Sequence, residues 1–205
     1  MKPASAATRL ALLTAAVASL LATGQLLLLA HGSRNPEPRH VVLVSEDEPG
    51  QTLIVRGTVY APDGATPVAG VRLDVHHTDS MGYYCMAPSA ERDRTLPRDN
   101  CPDSPPTTAR LRGRLETNAA GRFEFHTIKP GSYPRSRNPA HIHFQASGAG
   151  YPAQWPPELW FAGDPYIPAD EAAKAKAAGK FNNICTPQRA GNALVCEYNI
   201  RLKDR

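Results

Sequence analysis

Twenty prolines and fifteen glycines punctuate this chain of 205 residues and cut it into segments mostly too short for long helices. What lies between them alternates. Leu53–Tyr60 is β-branched and apolar, and Asp63-Gly64 follows it as a turn. Val71, Leu73 and Val75 alternate with Arg72 and Asp74, and Phe123 and Phe125 alternate with Arg122 and Glu124, the period of half-buried strands. Asn118–Gly121 reads as a turn, and further strands are expected at Arg110–Thr117, His141–Ala146, Glu158–Phe161 and Ala193–Leu202. The one clear helical stretch is Ala169–Lys180, rich in Ala and Lys, with Asp170 and Glu171 near its start and Gly179 near its end. Many short strands with Gly/Pro turns and no internal repeat predict an all-β fold, a mostly antiparallel β-sandwich with one short surface helix.

The N-terminus is different in kind. Lys2 and Arg9 precede an uncharged stretch from Leu10 to Ala30, long enough for an export signal or a membrane anchor. As a signal, Leu10–Leu21 is the apolar region and Ala22-Thr23-Gly24 the small-x-small cleavage site; as an anchor, Leu26–Leu29 stay covered. No amphipathic period supports a buried core helix. The division expected is therefore a signal peptide or membrane anchor over 1–32, a linker over 33–50 and a sandwich domain over 51–205. Pro36, Pro38 and Pro49 mark the linker, with Val41–Val44 its one apolar run. The sandwich is expected outside the cytoplasm, exported or tethered; cleavage and oligomeric state are left open.

Cysteine usage fits an oxidising compartment. Cys85, Cys101, Cys185 and Cys196 make an even set; three pairings exist, and proximity in sequence favours Cys85–Cys101 with Cys185–Cys196. A zinc site is disfavoured because no pair has CxxC spacing. Pro88–Pro106 is then a polar excursion stapled by the first bridge. The formal charge of +4 comes from scattered basic residues, with no Lys/Arg run among aromatics, so nucleic-acid binding has little support.

Three patterns could carry chemistry. In His141-Ile142-His143 the imidazoles are two apart, so on a strand they project from one face and can share a metal ion. In Ile128-Lys129-Pro130-Gly131-Ser132-Tyr133-Pro134 a strand breaks off, and Tyr133 lies eight residues before His141, within reach of a returning loop. Asp74–Tyr84 reads as a strand running into a glycine turn with tyrosines beyond. Each has an ordinary structural explanation when taken alone. Together they offer imidazoles and phenolates, a donor set suited to Fe(III) rather than Zn(II) or Cu(I). Two tyrosinates and a hydroxide would cancel the 3+ charge, so such a site tolerates a low-dielectric pocket.

On Gly121–Pro134, Pro139-Ala140-His141-Ile142-His143-Phe144 and Asp79-Ser80-Met81-Gly82-Tyr83-Tyr84, the chain resembles the intradiol ring-cleavage dioxygenases, the group that includes the protocatechuate and catechol dioxygenases. Gly57-Thr58-Val59 and Pro67–Val71 agree but are shared by many transthyretin-like sandwiches. The resemblance covers roughly Leu53 to Asp164, with a looser match to the chain end. It implies an Fe(III) ion held by Tyr84, Tyr133, His141 and His143, with Tyr83 in place of Tyr84 if the register shifts by one. It implies a catecholic substrate, a small aromatic diol, opened by O₂ between its hydroxyl-bearing carbons, with Tyr133 displaced by the substrate. Where the family commonly has Arg, three residues before the first histidine, this chain has Asn138, and Arg137 is the candidate guanidinium. A family Gln corresponds to Glu158, and a family Trp to His76. The rival readings are a zinc or copper enzyme using His141 and His143 with His76, His77 or His126, and a non-catalytic transthyretin-like binding module.

Overall fold

The computed structural model describes residues 40–84, 109–134 and 136–204, all within one compact unit, Pro36–Arg205. The expected N-terminal segment 1–32 and the Cys85–Cys101 pairing lie outside the described residues. Two six-stranded mixed sheets face each other. The first has the order β1 (His40–Val42), β5 (Arg122–Ile128), β2 (Thr52–Tyr60), β11 (Ala193–Glu197), β10 (Gln188–Ala190), with β12 (Ile200–Arg201) also on β2. The second has the order β4 (Leu111–Glu116), β3 (Val71–His77), β6 (His141–Gly148), β8 (Leu159–Phe161), β9 (Ile184–Cys185), with β7 (Tyr151–Gln154) also on β6.

The alternation read in the sequence decides which face is buried. Val71, Leu73 and Val75 of β3 and Ile142, Phe144 and Ala146 of β6 point inward and meet Leu53, Val55, Phe123 and Phe125 of the first sheet. Phe144 is the centre of this contact, with ring centroids 6.4 Å from Phe123, 6.0 Å from Phe125 and 5.1 Å from Tyr198. Truncating such a ring typically costs about 3–5 kcal/mol. The residues between the inward ones, including His76, His141 and His143, therefore stand on the opposite face of the second sheet.

Pairing is antiparallel along the backbone of both sheets, but β1 on β5, β11 and β12 on β2, and β9 on β8 run parallel. Within the stretch read as linker, His40–Val42 form β1, and Leu43 is buried against Gly113, where a Cβ would lie 2.2 Å from the leucine Cδ2. The apolar run Val41–Val44 had the composition of a strand and finds a sheet edge to pair with. The helix, α1 (Ala169–Ala177), ends earlier than expected and gives way to a 3₁₀ turn at Gly179–Phe181, where Gly179 takes a φ of +60°. Cys185 and Cys196 form the expected bridge, joining the second sheet to the first.

Candidate metal centre

β6 lies between β3 and β8, so its backbone is laddered on both sides where the histidines sit: His143 opposite His76, and His141 opposite Trp160. The tyrosines arrive on loops. Tyr84 follows the turn that leaves β3, and Tyr133 lies on the segment leaving β5. The turn is organised by Asp79, whose Oδ1 accepts the backbone N–H groups of Met81 (2.9 Å) and Tyr83 (3.1 Å). The Asp79 carbonyl accepts from Gly82 (3.1 Å) and also from Gly131 (2.9 Å), so one residue ties the two loops together. Gly82 has φ +89°, and a Cβ there would lie 2.0 Å from the Ser132 carbonyl oxygen; only glycine lets the loops touch.

Beneath the turn lies a buried ion cluster. The Arg110 guanidinium makes a two-pronged contact with the Glu48 carboxylate, Nη2 to Oε1 being 2.9 Å, and stands 3.8 Å from Asp79 Oδ2. The Arg110 backbone N–H donates to the Tyr84 carbonyl at 2.8 Å. Ion pairing with Glu48 holds the Arg110 pKa above its ordinary value. Sequence reasoning missed this cluster. Asp79, three residues before a glycine, was a readable turn signal, but nothing marked Glu48, which fell in the presumed linker.

Four side-chain tips converge above. Tyr84 Oη lies 2.5 Å from Tyr133 Oη and 3.0 Å from His143 Nε2; Tyr133 Oη lies 2.9 Å from His141 Nε2; the two Nε2 atoms are 3.0 Å apart. Their protons do not suffice for these contacts. His141 Nδ1 sits 2.6 Å from the Pro139 carbonyl and His143 Nδ1 sits 3.1 Å from Glu158 Oε1, so each ring proton is committed to Nδ1 and each Nε2 presents a lone pair. Two phenol protons remain for four contacts, and none for the contact between the nitrogens. A cation at the centre resolves this. A point equidistant from four atoms at such spacings lies roughly 2 Å from each, the length of a metal–nitrogen or metal–oxygen bond. Hard phenolate oxygens with neutral imidazoles fit ferric iron.

The electrostatics agree. Burial, with the Tyr133 hydroxyl beside it, pushes the Tyr84 phenol well above its ordinary pKa, so its phenolate needs a cation as counter-charge. Burial lowers the His141 pKa, which favours the neutral ligand form, and the Pro139 carbonyl partly offsets it. His143 holds the Glu158 carboxyl down at about 2. Glu158 belongs with His141 and His143 to a cluster whose donor atoms lie within 4.8 Å of one another, yet it stands on the Nδ1 edge of the His143 ring, away from Nε2.

The other residues singled out in the sequence fall differently. Tyr83 is half-buried, its backbone held by Asp79, and it is Tyr84 whose hydroxyl joins the four-atom cluster. His76 stacks on His143 with centroids 4.6 Å apart, and burial among the site histidines depresses its pKa to about 3. His77 points to the inner face with both nitrogens engaged, by the Thr78 carbonyl and Thr127 Oγ1, each at 2.6 Å. His126 lies on β5 in the first sheet, 2.9 Å from Glu124. Arg137 and Asn138 are exposed on the loop before β6.

The family described as Dioxygenase matches residues 30–204. The chain belongs to the intradiol ring-cleaving dioxygenases. The protocatechuate 3,4-dioxygenase beta chain of Burkholderia cepacia is 30% identical over 175 residues, covering 79% of this chain and 69% of that protein. A chlorocatechol 1,2-dioxygenase of Rhodococcus opacus is 30% identical over 148 residues, 64% of this chain, and there the chain spans 51% of the relative's length. Among solved structures, the dioxygenase domain of a dioxygenase carbohydrate-binding protein fusion from Streptomyces sp. SirexAA-E superposes with a TM-score of 0.56 at 26% identity, covering 85% of this chain and 96% of that one. This dioxygenase thus matches nearly the whole of one solved dioxygenase domain, and spans about half the length of the chlorocatechol 1,2-dioxygenase.

Proposed function

We propose that this protein opens a catecholic ring between its two hydroxyl-bearing carbons with O₂, using ferric iron held by Tyr84, Tyr133, His141 and His143. The observation that carries the reading is the convergence of two phenol oxygens and two imidazole Nε2 atoms on one point. Iron bound there supplies Lewis acidity towards a catecholate and a meeting point for O₂. By the family resemblance Tyr133 is the tyrosine that the substrate displaces, and its phenolate would then be the base for a substrate hydroxyl proton. The exposed Arg137 supplies a guanidinium, charged at any working pH, to charge that builds on the ring.

The protein is expected to purify red-brown with about one iron per chain and to consume one O₂ per catechol opened. A colourless protein with stoichiometric zinc sinks the reading. Arg137→Ala should keep the colour and lose on the order of a hundredfold in kcat; turnover at the wild-type rate would remove Arg137 from the mechanism. The same reading places the domain outside the cytoplasm, supported by the Cys185–Cys196 bridge. Activity found only in the cytosolic fraction would refute that part.

A further inference from the structure

The two histidines of the cluster are not equivalent, and the difference is in what their outer nitrogens meet. His141 Nδ1–H donates to a neutral carbonyl, that of Pro139, at 2.6 Å. His143 Nδ1–H meets a carboxylate, Glu158 Oε1, at 3.1 Å. We propose that Glu158 is a positioning residue that fixes the Nδ1–H tautomer of His143 and gives that imidazole anionic character, making His143 the stronger electron donor of the pair. The proposal rests on the reading of the four-atom cluster as an iron site and deepens it, since the sequence had marked Glu158 only as a departure from the family's Gln.

The carboxylate is built into its place. Trp160 Nε1 donates to the other oxygen, Oε2, at 3.2 Å, so each oxygen has its own partner. The Glu158 backbone is fixed as well: Asn183 Nδ2 donates to its carbonyl at 2.8 Å, and the Asn183 carbonyl accepts from the Trp160 N–H at 2.8 Å. Trp160 is itself laddered opposite His141. The carboxylate is thereby carried on the strand edge next to the strand that carries the histidines. A carboxylate–imidazole pair raises the basicity of the metal-facing nitrogen, and loss of such a partner typically costs about 10–100-fold in metal affinity. A glutamine has the same shape and can still accept the Nδ1–H bond, so Glu158→Gln removes the charge and leaves the geometry.

The test has two arms on the full-length protein. The first follows the imidazole ¹⁵N shifts of His143 after metal removal: the wild type should show the Nδ1–H tautomer and Glu158→Ala a mixture. The second follows the ferric protein. Glu158→Gln should weaken ferric iron about tenfold in chelator competition and move the tyrosinate-to-iron band to longer wavelength, because a less donating His143 leaves the iron easier to reduce. An Nε2–H tautomer in the wild type, or an unshifted band with unchanged affinity in Glu158→Gln, overturns the proposal. So does loss of nearly all the iron in Glu158→Gln, the signature of a direct ligand. A wild type that binds no iron overturns the ferric reading and the electronic half of this one, while the tautomer result still decides whether Glu158 fixes His143.

Discussion

The histidine half of the site and the tyrosine half reach one point by different means. His141 and His143 ride on β6, in the middle of a sheet, where hydrogen bonds to β3 and β8 hold the backbone whatever the side chains are. Tyr84 and Tyr133 ride on loops, which have no ladder of their own, and their placement depends on particular polar side chains. The Asp79 carboxylate takes amides of the Tyr84 loop and its carbonyl takes that of Gly131, the Arg110 backbone N–H holds the Tyr84 carbonyl, and the Arg110 guanidinium pairs with Glu48. The strand half is positioned by the sheet; the loop half is tied down by the buried cluster beneath the turn. The first arrangement tolerates substitution around it, and the second does not.

The largest effect expected breaks the comparison at the ligands. His143→Ala or His141→Ala should lose more iron affinity than the roughly 10–100-fold that an outer partner costs, yet unfold at nearly the wild-type temperature when compared without metal. Neither ring is part of the hydrophobic core. Iron content by elemental analysis and a thermal melt of each variant check this. A melt lowered as much as a core truncation would show that the histidines hold the sheet rather than the reverse.

The next effect falls on the loops. Arg110→Ala removes the counter-charge shared by Glu48 and Asp79, both buried. Breaking a buried pair in this way costs about 3–5 kcal/mol, read as a shift of the urea midpoint. Because Asp79 joins the loops, the tyrosinate absorption should weaken and broaden for both tyrosines. Unchanged stability with an unchanged band would mean that the cluster is ornamental to the site.

The same division decides what could be read from the sequence. Strand β6 and its paired histidines were legible because alternation fixes the face, so His141 and His143 had to emerge together. Tyr133 was legible through its Pro-Gly break and its distance from His141. The strands β7, β9 and β10 were not anticipated; they are two to four residues long, too short to show a period. Glu48, Asp79 and Arg110 form one cluster from positions as far apart as 62 residues, and nothing local to any of them announces the other two. Glu158 stood out only against the family, and its partner on His143 Nδ1 is a fact of the sheet register.

The smallest expected effect lies where the two halves meet, at His77. It is the last residue of β3, facing inward, with Nδ1–H donating to the Thr78 carbonyl at the start of the Tyr84 loop. Its Nε2 accepts from Thr127 Oγ1, one residue before the end of β5, where the Tyr133 loop departs. Burial holds its pKa at about 4, below the ordinary 6.5, against the opposing pull of the Thr78 carbonyl. Above pH 6.5 both folded and unfolded chains keep this imidazole neutral, and the stability is fully present. As the pH falls below 6.5 the unfolded chain takes a proton that the folded one refuses, so stability drops, and the loss levels off below pH 4 at up to roughly 3 kcal/mol. His76 and His141 are shifted the same way and add to the acid loss, so His77 must be isolated by difference. In His77→Gln the amide N–H can still reach the Thr78 carbonyl and the amide oxygen the Thr127 hydroxyl, without a titrating group. Urea unfolding at pH 7.0 and 4.5 should show a smaller drop for His77→Gln than for the wild type, and the tyrosinate band should fade with acid before the sheet unfolds, because the bond that fails first anchors both loops. Equal acid sensitivity in the two proteins would remove His77 as the hinge between the strand half and the loop half.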